Sequence, residues 1–210
     1  MTLRYFIRRF LRFMLIMLTV LLLLSVFLVV IYKWVPVWVT PLMVQQSIVH
    51  AKDPDYHTLS TWKSLEHISP EMAKAVIASE DQKFLDHDGF DREEIRNALE
   101  ERRNGTRIRG ASTISQQTAK NVFCTPARTY TRKLVEAYFT VLIELLWGKQ
   151  RILEVYLNVI ELGDGVFGVE SAADEYFSTS ALRLNSHQSA ALTDIIPCPR
   201  CYTAWLYGIE

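Results

Sequence analysis

Half of the chain's 210 residues are hydrophobic, enough to build the core of one domain. Its 23 basic and 23 acidic side chains cancel, but residues 1–40 hold Arg4, Arg8, Arg9, Arg12 and Lys33 and no acid, so the remainder carries an excess of five acids. With no broad basic surface outside the N-terminus, nucleic acid is excluded as a partner.

From Phe13 to Tyr32 the chain runs twenty residues without a charge. At about 1.5 Å of rise per residue, such a helix spans roughly 30 Å, the thickness of a hydrocarbon core. A secretory signal has a shorter apolar region and a small-residue cleavage site. Here Lys33, Trp34 and Trp38 follow instead, which suits an interfacial anchor. A buried core helix is the competing reading, and a poor one. We expect an uncleaved transmembrane anchor over 13–32. The four arginines before it predict that residues 1–12 stay in the cytoplasm and that the rest lies on the far side.

"VPVWVTPLM" (35–43), with two prolines, reads as a connector, and the polar stretch 50–70 as irregular. Ser69-Pro70-Glu71 is a helix start: a capping serine, proline in the first turn and an acid near the positive helix end. Met72, Ala75, Val76 and Ser79 share one face of that helix, and Glu80 falls near its end. A second helix is predicted from Asp91 or Arg92 to Arg103, with Ile95, Ala98 and Leu99 inward. "RNGTRIRG" (103–110) is a basic turn. Helices follow at 112–123 and 128–147. The second of these is apolar around nearly its whole circumference, which predicts burial on all sides. Gly148 ends it. Further helices are predicted at 149–160, 170–177 and 185–196, with a three-glycine loop after the first.

Several motifs point nowhere. Gly163-x-Gly165-x-x-Gly168 matches a dinucleotide fingerprint but follows a helix, without the βαβ setting that gives the glycines their purpose. A tight loop needing positive φ explains it better. "DHDGFD" (86–91) suggests calcium, but Gly89 comes too early for an EF-hand loop and the closing glutamate is missing. Cys198-Pro-Arg-Cys201 also lacks a redox setting; a structural bridge and two unpaired thiols remain open, and Cys124 is left over.

Two carboxylates stand out. Glu80 sits beside Phe84 at the end of an apolar helix, and Glu136 lies on the most apolar helix in the chain. Burial of such groups suits them to proton transfer, whereas a helix-end acid and an i, i−4 pair with Arg132 are the plainer explanations. Between them lie Arg107, Arg109, Lys120, Arg128, Arg132 and Lys133. Two acids and a cationic cluster suit a sugar whose leaving group is a phosphate. Such a group needs cations where its charge develops, not a proton. An ordinary glycosidase needs a carboxylic acid at that point.

"EDQKFLDHDGFD", "RGASTISQQTAKN", "RKLVE", "KQRILEVYLN" and "GDGVFGVESAADEYF" occur in order, and together they resemble the motifs of the peptidoglycan glycosyltransferases, glycosyltransferase family 51, in the monofunctional branch. The likeness runs from about Trp38 to about Pro199. It implies a mainly α, lysozyme-like, two-lobed helical domain with one N-terminal transmembrane helix. The chain would then divide into a cytoplasmic N-terminus (1–12), the anchor (13–32), a connector and membrane-proximal jaw segment (33–68) and the catalytic domain (69–210). It implies polymerisation of lipid II into glycan strands with inversion and release of undecaprenyl diphosphate. Glu80 would be the general base, and Glu136 would assist departure at the donor site. Asp81, Phe84, His87, Ser112, Gln116, Gln117, Lys120, Arg128, Arg132 and Lys133 would form the substrate site. Among these, Phe84 would shape the pocket and Asp81 and His87 would order the loop. No cofactor is required on this reading, although a divalent cation, Mg or Mn, bridges the diphosphate in some members. The expected partners are lipid II, the growing glycan chain, the membrane, and division or elongation proteins. The expected location is the bacterial inner membrane, with the catalytic domain in the periplasm. "PCPRCYTAWLYGIE" departs from the family pattern and reads as a shortened end that costs stability. A wall-cleaving lytic enzyme and an inactive scaffold are the competing functions; the cationic cluster and the second glutamate argue against the first, and intact Glu80, Glu136 and Lys120 against the second.

Overall fold

The structure, a computed structural model, describes residues 3–105, 112–127 and 129–201. It is mainly α-helical, as expected, and divides into two units, residues 1–35 and 36 onward. The first unit is one helix, α1 (Leu3–Tyr32). It begins ten residues before the apolar run, because arginine is a good helix former and does not halt propagation. Among the described residues it is the one helix long and apolar enough to cross a membrane.

The second unit opens with a helix that the sequence reading placed inside a connector. Thr40 caps α2 (Pro41–Val49): its hydroxyl accepts from the Met43 amide at 3.3 Å, and Pro41 occupies the first turn, where no N–H is needed. The stretch expected to be irregular contains a short strand, β1 (Leu59–Ser60), and a single 3-10 turn at Leu65–His67. Ser69 caps α3 (Pro70–Glu80), accepting from Glu71 N and donating to Leu184 O at 2.7 Å. Met72 and Val76 are fully buried, whereas Ser79, predicted on the same face, is exposed. The charged helix α4 (Arg92–Arg103), capped by Asp91, buries no residue. Leu99 is 62% exposed, not inward: among the described residues this polar helix buries none of its side chains.

Three helices carry the centre. α5 (Ile114–Phe123) starts with a capping box in which Thr113 and Gln116 satisfy each other's backbone N–H. It packs against α6 (Tyr130–Leu146) and α7 (Lys149–Val159). The prediction that α6 is buried on all sides fails. Only Glu136, Thr140 and Ile143 are buried, while Tyr130, Leu134, Val141 and Leu145 form an exposed apolar stripe. A helix on the outside of a domain buries one row, and here the buried row holds the polar residues. The helix with the buried core is α7, where Ile152, Val155, Tyr156 and Leu157 have no exposed surface.

The three-glycine loop is a hairpin. β2 (Glu161–Gly163) pairs antiparallel with β3 (Val166–Phe167), and β3 pairs in parallel with β1, completing a three-stranded sheet of order β1-β3-β2. That parallel pair, not expected from the sequence, is two residues long and builds no nucleotide-binding unit. Gly168 has φ +79°, and a Cβ there would stand 2.6 Å from Asn158 O. Asn158 is itself a pin: its Oδ1 accepts from Lys63 N at 2.7 Å and its amide donates to Lys63 O at 2.8 Å, fastening the segment after β1 to α7. α8 (Val169–Phe177) and α9 (Ser186–Ile195) close the unit, α9 against α3. Beyond α9, Cys198 and Cys201 are joined in a disulfide, and most of the C-terminal departure, 202–210, lies outside the described residues. Within that turn Arg200 Nε bonds Glu161 Oε1 at 3.0 Å.

Two stability predictions follow from these contacts. Gly168→Ala combines left-handed backbone with a backbone clash and is expected to cost about 1–3 kcal/mol in denaturant unfolding. Burial raises the Glu161 carboxyl above its usual range, and Arg200 opposes that shift. The folded state therefore holds this proton more tightly than the unfolded chain, so Glu161 costs stability as pH rises through the carboxylate range. Arg200→Ala is expected to destabilise by about 1 kcal/mol at neutral pH, and by progressively less as Glu161 becomes protonated, measured as melting temperature against pH.

Candidate active site

Glu80 is the last residue of α3, and its carboxylate is half-buried, not buried. Gln117, one turn into α5, donates from Nε2 to Glu80 Oε2 at 2.7 Å. The other end of that amide, Oε1, accepts from the hydroxyl of Tyr156 at 3.1 Å. Tyr156 lies on the core helix α7 with no exposed surface. Burial pushes its phenol well above the usual range, and the charges of Glu80 and Asp81 push the same way, so it stays a neutral hydrogen-bond donor.

Asp81 caps the end of α3. Its Oδ2 accepts from Ile114 N, the first amide of α5, at 2.9 Å, and both its oxygens face His87 Nε2 at 2.9 and 3.0 Å. Gly89 N donates to His87 Nδ1 at 3.1 Å, which leaves Nε2 as the nitrogen that donates to Asp81. Phe84 is fully buried under the Lys149 ammonium, 4.7 Å from the ring centre. Lys149 also binds His87 O at 2.5 Å and Glu144 Oε1 at 2.7 Å, and Ser115 donates to that same oxygen. Thr113 Oγ1 holds Gly89 O at 2.7 Å. The acidic stretch 79–91 is thus a braced loop. Asp81, Phe84 and His87 were expected in the substrate site, with Asp81 and His87 ordering the loop; here Asp81 and His87 bond each other and backbone amides, and Phe84 is fully buried. Gln116 is likewise buried, its side chain closing the α5 capping box.

The cations gather around the second carboxylate. Glu136 is 2% exposed and is held on Oε2 by Arg132 Nη1 at 2.5 Å and on Oε1 by Lys133 Nζ. Lys133 Nζ also stands 3.4 Å from Ser112 Oγ. Lys120, three residues along α5 from Gln117, feels the charges of Glu136, Arg132, Lys133 and Glu80. Desolvation is the largest effect and lowers the Lys120 ammonium below the usual lysine range, with Glu136 opposing and Arg132 and Lys133 reinforcing. Solvent screens part of this, since the residue as a whole is exposed. Arg128, with Arg107 and Arg109, lies outside the described residues.

The sequence reading did not single out Tyr156, Lys149, Glu144 or Ser115. Lys149 and Tyr156 both stand in "KQRILEVYLN", seven residues apart and hence on one face of α7, which was the available signal.

The arrangement combines a half-buried carboxylate able to accept a proton with cations placed to receive an anionic group. Because Lys120 is held below its ordinary range, the unfolded chain binds its proton more readily than the folded one. Lys120 therefore costs stability at neutral pH, and the cost fades as pH rises toward the lysine range. Lys120→Met is expected to match or exceed the wild-type melting temperature while turnover falls roughly 10²–10³-fold, the scale for losing one group that stabilises developing charge. Calorimetry and turnover on one preparation check both.

A family model described as "Transglycosylase" matches residues 45–207. The chain is 49% identical over 195 residues to the biosynthetic peptidoglycan transglycosylase of Caulobacter vibrioides, covering 92% of this chain and 83% of that one. It is 46% identical to the protein of that name in Bacteroides thetaiotaomicron, covering 92% and 78%, and 46% identical to the one in Chromohalobacter salexigens, covering 96% and 86%. The match takes in Glu80, Glu136 and the cations between them, and with nearly half of the residues shared across almost the whole chain, this chain belongs to the transglycosylase family.

Proposed function

We infer that this chain, a peptidoglycan glycosyltransferase of cell-wall synthesis, polymerises lipid II into glycan strands at the outer face of the bacterial inner membrane. One observation carries the chemistry: a half-buried glutamate, oriented by an amide, shares its field with a cation cluster that is itself ordered by a second, buried glutamate. Glu80 takes the proton from the acceptor sugar's 4-hydroxyl. The hydroxyl oxygen attacks the anomeric carbon of the lipid-linked donor, and the bond from that carbon to the diphosphate breaks on the opposite face. Configuration inverts, and undecaprenyl diphosphate departs as an anion.

The departing diphosphate needs positive charge and no proton, and Lys120, Arg132 and Lys133 supply it. Glu136 assists by holding Arg132 and Lys133 in place, since each of its oxygens is occupied by one of them. Two long cations left unpaired would lose that geometry to side-chain entropy. Ser112, beside Lys133, sits where a sugar or phosphate oxygen would be met. A resident divalent cation does not fit this donor set. The cluster presents Lys120, Arg132 and Lys133, both oxygens of Glu136 are already paired with two of them, and among the described residues no group of three His, Cys, Asp or Glu is placed to hold a metal.

Both substrate and leaving group carry a long lipid, and the chain has surfaces to match. α1 serves as the single-pass anchor, its arginines in the cytoplasm. In the second unit, the α6 stripe and the exposed Trp38, Val39, Val44, Ile48 and Val49 around α2 leave apolar surface for lipid.

Glycan synthesis from labelled lipid II in detergent tests the reading. The wild type is expected to form polymer, and Glu80→Gln to lose roughly 10²–10⁴-fold in rate at unchanged folding. Release of soluble fragments from purified cell wall, with no polymer from lipid II, would instead favour wall cleavage.

A further inference from the structure

We propose that Tyr156 is a positioning residue for the catalytic base, acting through Gln117: a buried relay, Tyr156 to Gln117 to Glu80, holds the carboxylate at the angle from which it accepts the acceptor's proton. The proposal rests on the reading of Glu80 as that base.

Three elements meet in this relay. Glu80 ends α3, Gln117 lies on α5, and Tyr156 comes from α7, thirty-nine residues beyond Gln117. A primary amide has one accepting end and one donating end. The Tyr156 hydroxyl occupies the accepting end at 3.1 Å, and the donating end then points at Glu80 Oε2 at 2.7 Å. Gln117 Nε2 also reaches Ser112 O, at 3.4 Å, so the amide plane is held from both sides. Glu80 sits at a helix end and is half-exposed, and this amide is its one side-chain hydrogen bond among the described residues. Without the amide, the carboxylate is free to rotate among its rotamers, few of which aim an oxygen at the acceptor. Tyr156 has no exposed surface, so its hydroxyl serves the reaction only at second hand. The arrangement gives Gln117 a role beyond sugar binding: it orients the base.

A double-mutant cycle on the full-length, detergent-solubilised chain tests this, with kcat and KM for lipid II polymerisation as the readout. Tyr156→Phe removes one oxygen atom and keeps the ring that fills the core. It is expected to lower kcat about tenfold with KM unchanged, the scale of one hydrogen bond lost from the transition state. Gln117→Leu, at a half-buried position of similar volume, is expected to lower kcat at least as much. The combined variant is expected to be no worse than Gln117→Leu alone, because the tyrosine has nothing left to act through. Additive losses would overturn the relay and make Tyr156 a structural residue. A rise in KM with kcat intact would overturn it in favour of sugar binding by Gln117. If Tyr156→Phe fails to fold, Gln117→Leu decides alone: wild-type kcat there removes the relay, while a loss in kcat at constant KM sustains its Gln117–Glu80 step. A wild type that makes no polymer would overturn the reading of the base and the relay with it, and so is distinct from a wild type that polymerises beside a Tyr156→Phe variant of equal kcat.

Discussion

The Asp81 carboxylate holds the site together. The first amides of a helix have no partner within it and carry partial positive charge, so a carboxylate placed there is stabilised twice, by hydrogen bonding and by the helix dipole. Asp81 takes the first amide of α5 and, with the same group, fixes His87 in the loop that follows. One side chain thus sets the end of α3, the path of residues 81–91 and the start of α5 relative to one another. Glu80 precedes it directly, and Gln117 and Lys120 lie one and two turns along α5 from the amide that Asp81 holds. The distance from Glu80 to the cation cluster is therefore set by short, rigid helical segments, not by the loop, which suits chemistry that tolerates little misplacement.

A second constraint is electrostatic. Three cations, Lys120, Arg132 and Lys133, gather around the buried Glu136, although Lys120 and Lys133 keep exposed surface. Taking such groups out of water is costly, and one buried carboxylate offsets two cations but not three. The cluster keeps an excess of positive charge, which on the proposed reading receives the departing diphosphate. The rest of the unit provides the counterweight: the fully buried apolar residues of α7, the pinned Asn158 and the core pair Met72 and Val76. The fold separates these tasks, with apolar mass on α7 and charge on the faces of α5 and α6 that meet above it.

How far the site could be read from the sequence depended on the range of the signal. Local chemistry was legible: the apolar run of α1, the Ser69-Pro70-Glu71 cap, and the glycines that adopt positive φ at 165 and 168. Thr40-Pro41 was equally local and was passed over because the second proline was counted as a breaker when it was a first-turn residue. What was illegible depended on partners far along the chain. Nothing in the α6 pattern says that Glu136 and Thr140 are buried while Leu134 and Leu145 face outward. The hairpin is completed by β1, more than a hundred residues upstream of β3. The glutamates and cations were recognisable by residue type and motif, but the hydroxyl of Tyr156 belonged to an apolar run and looked like core, which it also is.

The disulfide has a consequence that follows from loop size. In the chain-entropy account, a cross-link stabilises by the disorder it removes from the unfolded chain, and this grows with the number of residues enclosed. Cys198 and Cys201 are only three positions apart, so their bond restricts little of the unfolded ensemble. Its effect is local. With Pro199 between the cysteines and the Cys201 amide bonded to Cys198 O at 2.9 Å, it stiffens one turn whose projecting residue is Arg200. The bond therefore acts as a splint for a side chain, not as a staple for the domain, and a reducing environment would loosen the grip of Arg200 on the β2 hairpin while leaving the helical core as it was.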